Sequence, residues 1–368
     1  MKNNLKVVTV IGTRPEIIRL SCVIQRLDEN VNHILVHTGQ NYDYELNEIF
    51  FNDLNIRKPD YFLNINTKSL GNAVGDILKN IEPILTKEKP DAFLVLGDTN
   101  SCLSAYIAKR MHIPIFHMEA GNRCFDMNVP EEINRKLIDH ISDFNLVYTE
   151  HARRHLIAEG ISQRKIYLTG SPMYEVINYY KKKIETSDIL QRLKLKKENY
   201  FLASIHREEN VDNPDNLKEI FNALDTISKL YKKEVIVSTH PRTRKRLKKE
   251  NIKLDNNVKY YPPFAFTDYI NLQINAICTL SDSGTISEES AILNFPAITV
   301  RNAIERPEAL DSGSIILTGL NKKTILDSIK LQIKQNKTIK KEIPYEYKIP
   351  NTSYRVLNLI EGLSKLNN

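Results

Sequence analysis

At 368 residues the chain exceeds what one ordinary hydrophobic core serves, and the length argues for two domains. A composition that is 41% hydrophobic and 26% charged argues against disorder, and no apolar run approaches the length needed to span a bilayer. The formal charge of +7 suits an anionic ligand such as a nucleotide diphosphate and is too modest to argue for nucleic acid.

The N-terminal residues Met1-Lys2-Asn3-Asn4-Leu5-Lys6 run directly into a strand pattern, so no signal-peptide apolar region is expected. From there short β-branched runs alternate with helical periodicity, the signature of parallel α/β sheets. In the first half the predicted strands are 6–11, 34–37, 92–96, 115–118, 146–148 and 165–168, with helices such as 16–27 and 101–111 between them. The series pauses at Gly170-Ser171-Pro172, a turn-forming group and a candidate hinge, before a polar, Lys-rich stretch to Asn199. A second series follows at 200–205, 235–238, 258–261, 276–280, 297–300 and 315–317. The expected architecture is therefore two doubly wound Rossmann-like domains, residues 1–172 and 173–350, with ligands at the carboxyl ends of the strands in a cleft between them. A last helix near 353–366, within a tail of 351–368, is expected to pack back on the first domain.

Four cysteines, Cys22, Cys102, Cys124 and Cys278, are scattered without CxxC spacing and read as buried reduced thiols of a cytoplasmic protein. Nine His residues form no HExxH pattern, so no metal is expected. The basic run Arg242–Lys249 offers only Leu247 to a core and reads as a solvated helix face, with an anion patch as the alternative.

The polar residues of interest fall just after predicted strands. Gly12-Thr13-Arg14-Pro15-Glu16 follows the first: Gly12 lets the backbone turn, Pro15 suits a first helical turn, and Arg14 can clamp an anion beside free N–H groups. A plain turn with a surface Arg is the rival reading. The pattern is not GxGxxG, which disfavours a nicotinamide cofactor. Gly97-Asp98-Thr99 places Asp98 where either a catalytic carboxylate or a helix cap would stand. Glu119, in His117-Met118-Glu119-Ala120-Gly121, ends an apolar strand, where a carboxylate either serves a ligand or costs stability. In Pro130-Glu131-Glu132-Ile133-Asn134-Arg135, the acids either complement the helix dipole or act on a ligand; Arg135 shares a face with Glu131 and can pair with it or with substrate.

In the second half His206-Arg207-Glu208 and His240-Pro241-Arg242 follow successive strands. Ser281-Asp282-Ser283-Gly284-Thr285 precedes helix 286–293, either as an ordinary cap or as a diphosphate cradle. Glu288 and Glu289 lie one turn on, where a carboxylate can accept ribose hydroxyls, and Glu305-Arg306-Pro307 adds another cation.

Taken in order, GTRPE, GDT, HMEAG, PEEINR, His206-Arg207-Glu208, SDSGTISEE and ERPEA resemble the non-hydrolysing UDP-N-acetylglucosamine 2-epimerase family over nearly the whole chain. The resemblance implies a glycosyltransferase-B-like fold, a homodimer, and no cofactor. It puts acid–base roles on Asp98, Glu119 and Glu131, with His206 as a further catalytic candidate. Substrate contact falls to Arg14, Arg135, His206, His240, Ser283, Gly284, Thr285 and Arg306, and ribose binding to Glu289. Arg19 stands where family members acting on UDP-N-acetylglucosamine (UDP-GlcNAc) have Lys, which keeps charge and changes geometry. The segment that serves an allosteric site in some members is here Gln40-Asn41-Tyr42-Asp43-Tyr44.

The wording HMEAGNRCFD and PEEINRK resembles a subgroup that converts UDP-2-acetamido-2,6-dideoxy-L-talose into UDP-N-acetyl-L-fucosamine for capsule or O-antigen assembly, with Phe125 suited to a C6 methyl. UDP-GlcNAc giving UDP-ManNAc is the alternative substrate, and a glycosyltransferase of the same fold is the alternative class. A C2 hydrogen in such a sugar is not α to a carbonyl. The accessible route is therefore elimination of UDP to a 2-acetamidoglycal, then re-addition with protonation of the opposite face of C2. Opposed carboxylates would move the proton, while the cations and the 283–285 helix start would steady the departing UDP.

Overall fold

The computed structural model describes residues 4–39, 44–239, 241–250, 255–339 and 341–366. They form two compact units, the described parts of Met1–Tyr179 with Lys348–Asn368 and of Tyr180–Tyr347. Each is an α/β unit built on one parallel sheet, the predicted fold class.

The first unit carries β1 (Lys6–Ile11), β2 (Asn32–His37), β3 (Tyr61–Phe62), β4 (Ala92–Leu96), β5 (Ile115–Ala120), β6 (Phe144–Val147) and β7 (Ile166–Leu168) in the order β3-β2-β1-β4-β5-β6-β7. β1 pairs in parallel with β2 on one side (Val8 opposite Ile34) and β4 on the other (Val8 opposite Phe93). Helices cover both faces, which is why strands such as Lys6–Ile11 read as nearly unbroken apolar runs. The strand order reverses between β1 and β4, so the crevice beyond their carboxyl ends is the unit's topological switch point.

The second unit carries β8 (Tyr200–Ser204), β9 (Glu234–Ser238), β10 (Val258–Tyr261), β11 (Thr279–Ser281), β12 (Ala297–Thr299) and β13 (Ile316–Leu317), ordered β10-β9-β8-β11-β12-β13. Its switch point lies between β8 and β11. Phe201, Val235, Val237, Leu280 and Ile298 from its strands share one core cluster with Leu217, Phe221 and Leu224 of the helix Pro214–Tyr231.

Local chemistry sets several boundaries differently from the sequence reading. The helix expected over 101–111 begins as a 3-10 turn, Asn100–Ser104, and becomes α-helical only at Ala105–Arg110. Here Ser101 gives its hydroxyl to Glu16, and Ser104 Oγ donates to the Ser101 carbonyl at 2.6 Å, so side chains compete for the first turn. The chain leaves the first unit after Tyr179 rather than at Pro172. Gly170 needs its positive φ of 83° and its missing side chain because Ile349 would lie 2.5 Å from a Cβ. Thr352 Oγ1 donates to the carbonyls of Thr169 and Ser171 at 3.3 and 3.2 Å. That turn is thereby tied to the C-terminal helix Thr352–Leu363, itself packed on the helix Arg14–Asn30. The helix Pro241–Lys249 keeps Thr243 and Leu247 inward and Arg244, Lys245, Lys248 and Lys249 exposed, the solvated face expected for that basic run.

Candidate functional site

At the switch point of the first unit, β1 hands over to a tight turn organised by Glu16. Its buried carboxylate accepts from the N–H groups of Gly12 (2.8 Å) and Thr13 (2.6 Å), from Thr13 Oγ1 (2.8 Å), and from Thr99 Oγ1 (3.1 Å) across the crevice. Burial pushes the Glu16 carboxyl above its usual range, opposed by these bonds and by Ser101. One carboxylate thus fastens the loop after β1 to the loop after β4. The sequence reading passed over Glu16 as part of a turn; its spacing three residues after Thr13 was the available signal.

Arg14, one residue past that turn, lies over the Phe50 ring at 5.7 Å. Desolvation lowers its pKa, and among the described residues no carboxylate pairs with it. A guanidinium held half-buried without a counter-charge is suited to an anionic ligand.

The loop after β4 presents Gly97 and Asp98. Gly97 adopts a φ of 76°, and its carbonyl lies 2.7 Å from His117 Nε2. Asp98 is ion-paired with Arg135, and its carbonyl accepts from Asn134 Nδ2 at 2.9 Å. Arg135 thus partners Asp98, not Glu131 four residues before it, and its Nη1 also donates to the Asn122 carbonyl at 3.1 Å. On its own helix Arg135 also stands 3.7 Å from Glu132, so its link to the loop after β4 adds to a local contact. Glu131 is half-buried and makes no hydrogen bond or ion pair among the described residues. Glu132 behaves differently: fully buried, it accepts from the Cys124 N–H at 3.0 Å and anchors the loop after β5.

Glu119 stands out at the end of β5. It carries a φ of 65°, and the register with β6 shifts between Met118 and Ala120, a bulge that re-aims one side chain. Left-handed backbone at a buried Glu is sparsely populated and persists only where the surroundings enforce it. The carboxylate is ion-paired with the buried Arg19 and would be in ordinary contact, at 3.4 Å, with a Cβ on Gly97. Asp98 and Glu119 therefore occupy neighbouring strand ends, each facing a buried arginine.

A buried polar chain supports them. His117 reaches Gly97 on one side and lies 2.9 Å from Asp139 on the other. Asp139 meets Arg123 at 2.7 Å, and Arg123 grips Glu159 through two bonds of 2.8 and 2.7 Å. Burial opposes the charge on Arg123, but Glu159 and Asp139 more than offset it and hold its pKa above the ordinary value. Asp139 and Glu159 were not singled out from sequence, where nothing marks a long-range partner.

In the second unit the loops after β8 and β11 meet at the switch point. Asp282, fully buried, accepts from the N–H groups of His206 and Arg207 and from Asn210 Nδ2. Beyond it, Ser283 Oγ lies 3.0 Å from Thr285 Oγ1 and accepts from the Thr285 N–H at 3.3 Å. The helix Ile286–Leu293 starts here. The Arg306 guanidinium overlies Gly284 so closely that a Cβ would collide with Nη1, and its Nε lies 3.4 Å from buried Glu288. Glu289 accepts from Gln273 Nε2 at 2.7 Å. Hydroxyls, a helix start and a guanidinium over a glycine are groups whose chemistry suits an anion. His240 lies outside the described residues, as do Gln40-Asn41-Tyr42-Asp43. Among the described residues no cluster of His, Cys, Asp and Glu could hold a metal, no helix is long and apolar enough to cross a membrane, and all four cysteines are buried and outside any disulfide.

Two doubly wound parallel sheets, each with charged groups gathered beyond its switch-point strands, define an α/β protein of the glycosyltransferase-B-like kind. A family model described as UDP-N-acetylglucosamine 2-epimerase matches residues 25–361. A solved UDP-N-acetylglucosamine 2-epimerase from Rickettsia bellii is 48% identical, with 99% of this chain and 98% of that one covered at a TM-score of 0.92. The Methanocaldococcus jannaschii UDP-GlcNAc 2-epimerase, solved in complex with UDP-GlcNAc and UDP, is 37% identical, with 97% and 99% covered and a TM-score of 0.91. The UDP-2,3-diacetamido-2,3-dideoxy-D-glucuronate 2-epimerase of Pseudomonas aeruginosa is 35% identical over 89% of this chain and 92% of its own. The chain belongs to the UDP-N-acetylglucosamine 2-epimerase family, whose members are non-hydrolysing epimerases.

Proposed function

We propose that this protein inverts C2 of a UDP-2-acetamido sugar by eliminating and re-adding UDP. The observation that carries this is the pairing at one switch point of Asp98 and Glu119, the latter held in left-handed backbone at a strand bulge. Stored backbone strain at a buried carboxylate is characteristic of a functional site. Family membership supplies the reaction class, and the relative solved with UDP-GlcNAc and UDP supplies the ligand class.

In this reading Asp98, Glu119 and Glu131 divide the opposed proton transfers at C2. Arg19 and Arg135, read from sequence as substrate contacts, also hold Glu119 and Asp98 in place through their ion pairs. The Ser283-Gly284-Thr285 helix start and Arg306 receive the diphosphate, Glu289 the ribose, and His206 and Arg14 answer the charge that grows as C1–O breaks. His240 is a further substrate contact in the same scheme. The assembly is proposed to be a cytoplasmic homodimer.

The sugar we favour is UDP-2-acetamido-2,6-dideoxy-L-talose, giving UDP-N-acetyl-L-fucosamine for capsule or O-antigen synthesis. Its support is the HMEAGNRCFD wording and the loop after β5, where Phe125 (71% exposed) and Met127 (56%) offer apolar surface to a C6 methyl. UDP-GlcNAc is the second reading, favoured by the names of the relatives. Incubating the pure protein with each UDP-sugar and following the products by NMR tests both. Inversion at C2 of the 6-deoxy sugar supports the first, and preferential turnover of UDP-GlcNAc replaces it with the second. Turnover of no UDP-2-acetamido sugar overturns the reading.

A further inference from the structure

The two peptide groups that flank Asp98 are each held by a side chain. The Gly97 carbonyl, before it, accepts from His117 Nε2 at 2.7 Å, and the Asp98 carbonyl, after it, accepts from Asn134 Nδ2 at 2.9 Å. The Gly97 N–H donates to the Met118 carbonyl at 2.9 Å, so residue 97 is tied twice to β5. Asn134 is half-buried on the helix Pro130–Ile141, and its amide nitrogen also donates to Asn100 Oδ1 at 3.2 Å. An amide nitrogen carries two hydrogens, so one side chain bridges residues 98 and 100 of the loop after β4. Arg135, next along that helix, is ion-paired with the Asp98 carboxylate.

We propose that Asn134 is a positioning residue for Asp98, holding its carbonyl so that the carboxylate keeps one place opposite Arg135 and one distance from C2 of a bound sugar. This rests on the proton-transfer role proposed for Asp98. Gly97, with a φ of 76°, does not hold the loop by itself, because glycine takes left- and right-handed backbone about equally well. The ion pair restrains the carboxylate and leaves the backbone behind it free to turn. His117 fixes the near side of Asp98 from the sheet. Asn134 fixes the far side from the helix that also carries Glu131, so the same helix sets where two of the three acid–base carboxyls stand. A displacement of about 1 Å at a reacting group is enough to cost about a hundredfold in rate.

The test is made on the full chain with Asn134→Ala, which suits a helix and removes both donors. Its kcat should fall about ten- to a hundredfold, while KM and the affinity for UDP change less than about twofold. In the Asp98→Asn background, followed with enzyme in excess over sugar, the same change should cost less than about threefold, because its effect runs through Asp98. An equal loss in both backgrounds, or kcat unchanged in Asn134→Ala, refutes the positioning role. A crystal structure of Asn134→Ala with UDP should show the Asp98 carbonyl turned or displaced; an unmoved Asp98 peptide overturns the proposal without any rate. A wild type inactive on every UDP-2-acetamido sugar refutes the functional reading, while that crystal structure still decides whether Asn134 places Asp98.

Discussion

Removing Arg19 is the sharpest probe of Glu119. Both side chains are buried, at 7% and 4% exposure, and ion-paired. Breaking a buried pair strands a charge and costs about 3–5 kcal/mol, because the survivor loses its partner without regaining water. At about 2–4 °C per kcal/mol for a unit of this size, Arg19→Ala should lower the first unit's melting temperature by roughly 6–20 °C. Arg19→Lys keeps the charge with fewer donors and should fall between this and wild type. The informative variant is Arg19→Ala combined with Glu119→Gln. An uncharged amide no longer needs the guanidinium, so the double variant should melt above Arg19→Ala alone. It should nevertheless remain about two to four orders of magnitude slower than wild type, the range for losing an acid–base group. Stability and activity then part company. Calorimetry and an NMR turnover assay read the two quantities separately. Arg19→Ala melting like wild type, or a double variant that regains turnover, would refute the account of this pair.

Gly121→Ala should destabilise by about 2–5 kcal/mol on chemical denaturation, since Gly121 has a φ of 79° and a Cβ there would strike the Ala152 carbonyl. Gly284→Ala would bring a Cβ to 2.3 Å from Arg306 Nη1, so this buried guanidinium, 3.4 Å from Glu288, must shift. UDP affinity by calorimetry should drop about ten- to a hundredfold, equivalent to one charge-assisted bond; unchanged affinity would remove Arg306 from the diphosphate site. His37 is buried, and desolvation lowers its pKa from 6.5 to about 4. Between those values the unfolded ring binds a proton that the folded ring refuses, so stability should fall as pH drops from about 6.5 to about 4. That loss is about 3 kcal/mol at most. His37→Phe should flatten the slope over that window, and an unaltered slope would contradict it.

The sequence showed the parallel α/β character through alternating apolar runs, because strands covered on both faces leave no polar positions. It also placed Arg14, Asp98 and Glu119 at strand ends, since a Gly or charged residue after an apolar run is visible in one dimension. It did not show the order of the strands, on which the two switch points depend. The two-residue strand Tyr61–Phe62 is too short to leave a periodic signal. Partners were the least legible: Arg135 has an acid four residues away on its own helix, yet chooses Asp98 from another loop. Glu16, Asp139 and Asp282 look like ordinary turn or helix acids until the fold brings distant donors onto them. Nor does any neighbouring glycine announce that Glu119 itself is left-handed.

The account stands or falls on proton exchange at C2 during turnover. With UDP-2-acetamido-2,6-dideoxy-L-talose or UDP-GlcNAc in D2O, the wild-type protein should give the C2 epimer carrying deuterium at C2, with UDP retained on the product. An epimer formed with its original C2 hydrogen would contradict the central claim.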